Sequence, residues 1–78
     1  MFQLHRIMLN SRGGGVGCSS HQKYPDMIQA AHAAEERWQN DHMRAHVRWT
    51  VTDKTGRNVH SVDAKLWPAI QAERTRVA

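Results

Sequence analysis

At 78 residues, with 40% apolar side chains and a net charge of +4, the chain has the size of one small domain and a basic balance that favours anionic partners. A domain this short buries only about 60% of the surface its unfolded chain exposes, which leaves no room for a deep catalytic cleft. Cys18 is the only cysteine, so no internal disulfide can form, and no stretch approaches the roughly 20 apolar residues of a membrane span; a reducing, cytoplasmic setting is expected.

The first predicted element is a strand over Phe2–Leu9. Its alternation is broken, because Phe2 and Leu4 fall on one face and Ile7 and Leu9 on the other, and a bulge near Arg6 would reconcile them. A Gly-rich loop over residues 10–17 follows, with Gly13, Gly14 and Gly15 free to adopt positive φ. Within it, Val16–Ser19 reads as a short strand returning against the first.

The best-marked helix runs from Pro25 to about Asn40: Pro25 suits the first helical position, Asp26 meets the positive end of the dipole, and four alanines favour the conformation. Met27, Ala31, Ala34 and Trp38, widened by Ile28, make an apolar stripe that should lie on a sheet. Asn40, Asp41 and His42 end the helix. Next, Arg44–Thr52 alternates strictly, with Ala45, Val47, Trp49 and Val51 on one face and Arg44, His46, Arg48, Thr50 and Thr52 on the other. Asp53-Lys54-Thr55-Gly56 has the chemistry of a type I turn closed by a left-handed Gly. Counting back from it pairs Val51 with Val59 and Trp49 with Ser61 inside, and Thr50 with His60 and Arg48 with Val62 outside. Asp63 caps a following turn, and Pro68 opens a short helix to about Thr75 within a C-terminal segment over 64–78.

These elements assemble into a single α+β domain over 1–78: a small antiparallel sheet of ββαββ form, covered on one face by the Ala-rich helix, with a short C-terminal helix. Arg44, His46, Arg48, Lys54, Arg57 and His60, with Thr50, would then gather as a basic plate from which carboxylates are absent. Because the aromatic Trp49 points inward, this plate suits phosphate or carboxylate docking rather than base stacking. No metal site is expected: the six histidines lack ligand spacing, although His46 and His60 could approach on adjacent strands. No cofactor or enzymatic activity is expected either. The glycine run lacks the Lys-Ser/Thr ending of a phosphate loop, and Cys18 or Ser19 with His21, adjacent in sequence at a strand end, are not expected to converge, with no third orienting group indicated.

In size and element order, carried by Tyr24–Ala31 and by Arg48–Arg57, the chain from Phe2 to Asp63 resembles the small phage-encoded anti-CRISPR proteins that inhibit type I effector complexes. The resemblance implies a non-enzymatic inhibitor in the bacterial host cytoplasm that docks through its basic plate on an acidic protein surface, such as a CRISPR effector subunit, and blocks target DNA. The chain's basic balance departs from the acidic, DNA-mimicking members of that group. The alternative is a small accessory protein that places the same plate on nucleic-acid phosphates, with salt-sensitive and sequence-nonspecific affinity. A nuclease using His46 and His60 as acid and base ranks last.

Overall fold

The computed structural model describes residues 1–77, with side chains as far as Thr75. In chain order it contains β1 (Phe2–Leu9), β2 (Gly15–Tyr24), α1 (Met27–Gln39), a 3-10 turn at Arg44–His46, β3 (Val47–Thr52), β4 (Asn58–Val62) and α2 (Trp67–Val77). The four strands form one antiparallel sheet in the order β2-β1-β3-β4, with both helices packed on one side, which is the expected α+β architecture.

β1 sits inside the sheet and pairs with β3 in unbroken register from Gln3 to Met8, so it carries no bulge at Arg6. Its imperfect alternation has a different cause. Leu4 and Arg6 turn to the helix side, where Asp41 neutralises the guanidinium, while Ile7 and Leu9 turn to the other face. The bulges lie in β2 instead, one at Val16 and one where His21 and Gln22 stand opposite Leu4. β2 is much longer than the Val16–Ser19 strand expected, because β1 offers a full-length partner to residues whose own composition is not strand-like. The loop between the two is short and ordered by Asn10, whose Oδ1 accepts from the N–H groups of Arg12 and Gly14, with Gly13 at φ 82°.

Asp26 caps α1 by accepting from the Ile28 N–H at 2.7 Å, which sets Pro25 before the helix rather than in it. The buried face of α1 is Ala30, Ala34, Glu35 and Trp38. Ala30 and Ala34 are fully buried and let the helix approach β3 closely, against Leu4, Val47, Trp49, Val51 and Val62. The stripe expected from Met27 and Ile28 is rotated away from the core, and Ile28 is left 68% exposed.

β3 starts at Val47, not Arg44. The preceding residues fold back because the Trp38 indole donates to the Arg44 carbonyl at 2.9 Å and the Arg44 N–H donates to the Asp41 carbonyl at 3.1 Å. The turn after β3 forms as expected, with Asp53 Oδ1 accepting from Thr55 and Arg57 and Gly56 at φ 86°. Beyond it the register differs by one residue. Thr52 faces Asn58, Val59 bulges, and then Val51 faces His60, Thr50 faces Ser61 and Trp49 faces Val62. The slip buries Val62 completely where Ser61 would otherwise sit, and a one-residue slip carries every later side chain to the opposite face.

Asp63 then receives the Leu66 N–H at 2.7 Å and Arg48 Nε at 2.9 Å, which fixes the entry to α2. Trp67 packs against Trp38 with ring centroids 5.4 Å apart, Ile70 reaches the core, and Arg74 pairs with the buried Glu35, so α2 lies beside α1.

Under the sheet, Asp41 joins three elements. Its Oδ2 accepts from Arg6 Nε at 2.8 Å on β1 and from the Trp49 indole at 3.1 Å on β3, and its Oδ1 accepts from Arg6 Nη2 and from the Met43 N–H. These bonds, Arg6 first, hold the carboxyl at about 2, below the ordinary 3.8, against the opposing effect of burial. Since the folded-state value is depressed, this stabilisation is complete above about 4 and is lost as pH falls toward about 2. Asp41→Asn is expected to lower stability at neutral pH by about 3 kcal/mol in urea unfolding. The gap from the unsubstituted protein should close progressively between about pH 4 and 2; a gap independent of pH would contradict this role.

Candidate functional site

Because both helices occupy one side, the other side of the sheet is open, and strand pairing lays its side chains out in rows. Lys23, Gln3, Thr52 and Asn58 form one row, Ser20, His5, Thr50 and Ser61 the next, and Cys18, Ile7 and Arg48 the third. None of these residues is acidic. The central rows bond to one another: His5 Nε2 meets Thr52 Oγ1 at 2.8 Å and its Nδ1 meets Ser20 Oγ at 3.3 Å, while Thr50 Oγ1 meets Ser61 Oγ at 2.6 Å. Thr50 is only 4% exposed on this uncovered face because its neighbours close over it. Both ring nitrogens of His5 face hydroxyls, which donate or accept as the tautomer requires.

Cations stand at both ends of this face. At the end formed by the β1–β2 loop, a hollow of about 580 Å³ is lined by Arg12, His46, Arg48 and Lys65, with Asp63 beside Arg48. At the opposite end, a hollow of about 340 Å³ is lined by Lys23 and Lys54 together with His5, Thr52 and Asp53. Arg48 is shared with Asp63, whereas Arg12, Lys23, Lys54 and Lys65 pair with no carboxylate among the described residues. Five of the seven acids are engaged within the fold. Glu35, Asp41 and Asp63 are buried in ion pairs, Asp26 caps α1, and Asp53 is held by the Thr55 hydroxyl, which with its backbone bonds lowers its pKa.

The six residues expected to form one plate are therefore dispersed. Arg48 lies on the uncovered face. His46 sits in the 3-10 turn at the rim of the first hollow, and Lys54 lines the second. Arg57 is exposed beside the same turn as Lys54. Arg44 folds back so that Nη1 donates to the Gln39 carbonyl at 3.2 Å. His60 points to the helix side, 3.2 Å from Glu35, as the register slip requires. His46 and His60 are thus not brought together, and no group of three or more metal-ligating side chains occurs among the described residues. Arg12, Lys23 and Lys65 were not among the expected contacts. They flank turns and strand ends, and only the strand order, which a single sequence does not carry, brings them to this face.

The helix side has a second feature, a groove of about 650 Å³ between α1 and β2. Its floor is Trp49, on which His21 packs at 4.9 Å between ring centroids and over which Arg37 lies at 5.8 Å. Ser19 Oγ and His21 Nε2 are 3.0 Å apart here, because residues two apart on a strand share a face, contrary to the expectation that they would not meet. No carboxylate bonds to the His21 ring among the described residues, so the pair lacks the third group that orients a base in nucleophilic catalysis.

No family model matches the chain, and no curated protein or solved structure matches it either. Among the described residues, no helix is long and apolar enough to cross a membrane.

Arg48 links the open face to the entry of α2 through Asp63, which is 5% exposed. Arg48→Met is expected to cost about 1–2 kcal/mol in thermal unfolding and to speed hydrogen exchange of the Leu66 amide, whose acceptor is the same carboxylate. Unchanged exchange at Leu66 would show that Asp63 holds α2 without Arg48.

Proposed function

We propose that this chain is a non-enzymatic binding module that takes the phosphate backbone of nucleic acid across its uncovered sheet face. The observation that carries this reading is the separation of charge. Three of seven acidic residues are buried, the three side-chain rows of the open face have none, and unpaired cations stand at both of its ends, beside Asp63 at one and Asp53 at the other. A compact basic patch would suit a compact acidic one. Cations set at the two ends of one sheet face suit an extended polyanion, whose charges repeat along its length. The hydroxyls of Thr52, Ser20 and Ser61 add neutral donors between the cationic ends. No Phe, Tyr or Trp lies in the three rows, and the His5 ring is held by hydroxyls on both nitrogens, so contacts are to phosphate and sugar, with weak preference among sequences.

The absence of an aromatic platform also favours a second reading, an inhibitor that lays the same face on an acidic protein surface of a type I CRISPR effector and excludes DNA. The two separate in one set of titrations. For the nucleic-acid reading, affinity for random duplex DNA should fall steeply with salt, with a log-log slope of about −4 if Arg12, Lys23, Lys54 and Lys65 all meet phosphates. Replacing any one by Gln should reduce that slope by about 1 for every sequence tested alike. No binding to duplex or single-stranded DNA at low salt removes this reading. The inhibitor reading instead expects loss of target-DNA binding by a type I effector complex, and effectors whose DNA binding is unchanged at saturating protein remove it.

A further inference from the structure

We infer that the outer edge of β2 joins two copies of this chain, antiparallel, into a two-fold dimer with one continuous sheet. This goes beyond the ligand reading and does not depend on it. β2 is a terminal strand of the sheet, ten residues long, and among the described residues its outer backbone edge meets no other segment. Edge strands that remain single are blunted by charge, proline, bulges or a covering element. Gly15–Tyr24 contains no proline, and Lys23 near its end is its one charged residue. α1 packs against all four strands and leaves a groove between itself and β2, on the helix side and not along the outer backbone edge. Its two bulges, at Val16 and at His21–Gln22, do not cover the edge; they confine a regular seam to Gly17–Ser20 between them.

A second, independent observation marks the same edge. Of the five large apolar side chains left exposed, Val16 at 65% lies on β2 and Ile28 at 68% and Met27 at 41% lie in the first turn of α1 just after it, while Met1 and Leu66 lie elsewhere. Ile28 shares a hollow with Tyr24, the last residue of β2, and Met27 follows that strand by three residues. The seam itself is nearly neutral in a chain of net charge +4, so self-pairing meets little repulsion there, and antiparallel pairing sends the two Lys23 side chains to opposite ends.

Geometry narrows the register. Opposite residues of antiparallel strands point to the same face, and a two-fold axis normal to the sheet maps each face onto itself. Cys18 and Ser20 belong to the uncovered face and Ser19 to the helix side. A residue can therefore oppose only one of its own face, and the axis must pass through a residue pair, Cys18 opposite Cys18 or Ser19 opposite Ser19 of the second copy. Such pairs have Cα atoms about 4.5–5.5 Å apart, within reach of a disulfide. The dimer sets both pairs of helices on one side and both uncovered faces on the other.

Cross-linking with diamide tests this, two thiols giving up two electrons and two protons to the reagent as the S–S bond forms. The unsubstituted protein should cross-link if the axis lies at Cys18, and the Cys18→Ser/Ser19→Cys variant if it lies at Ser19. A Cys18→Ser/Ala69→Cys control, with its thiol on α2, should not. Sedimentation should show a concentration-dependent dimer, and Ser19→Lys should raise its dissociation constant at least about tenfold, with circular dichroism unchanged. A monomer at every concentration, a dimer indifferent to Ser19→Lys, or cross-linking at Ala69→Cys as fast as at the seam overturns the inference.

Discussion

The buried carboxylate of Asp41 is the contact on which the arrangement of this small domain turns. A charge in that position is costly unless both oxygens are satisfied, and here four donors from β1, β3 and the chain after α1 converge on it. Their geometry fixes more than an ion pair. Arg6 can face the helix side only because Asp41 receives it, and that orientation sends Ile7, His5 and Gln3 to the other face of β1. The Trp49 indole is anchored by the same oxygen that binds Arg6 Nε, which holds the largest side chain of β3 in the core. With so little interior available at this chain length, one misplaced charge would outweigh several apolar contacts.

The same logic repeats at Glu35 and Asp63. Glu35 on α1 takes His60 from β4 and Arg74 from α2, and Asp63 takes Arg48 and the first turn before α2. Each acid stitches sequence-distant elements at a place where apolar packing alone is thin, since α2 reaches the core mainly through Trp67 and Ile70. The consequence for the surface is direct. Each buried acid is paired with an arginine, so the net charge of +4 stays with the remaining side chains, and the three rows of the uncovered face carry no acid. Structure and proposed function are linked through that single allocation of charge.

Much of the fold was legible in the residues. The cap at Asp26, the alanines of α1, the Asp53–Gly56 turn and the alternation from Val47 to Thr52 are local signals, and each forms where its chemistry places it. What failed to show were effects decided by partners far along the chain. β2 owes its length to β1, and β3 loses Arg44 to an indole bond from Trp38. The bulge at Val59 shifts β4 by one residue because burying Val62 and giving His60 to Glu35 beats an unbroken ladder. That slip removed His60 from the expected basic plate. The candidate site was legible only in its sign: a face without carboxylates was anticipated, but its cations at Arg12, Lys23 and Lys65 depend on strand order.

The proposed ligand lies on the uncovered face and not in the groove beside Trp49. Amide and side-chain NMR shifts recorded during titration with a short random DNA duplex test it most directly. The account expects the largest changes at His5, Thr52, Ser61 and Arg48 and in the turns bearing Arg12 and Lys54, with α1 undisturbed. Shifts concentrated instead at His21, Arg37 and His42 would place the contact in the groove and contradict it.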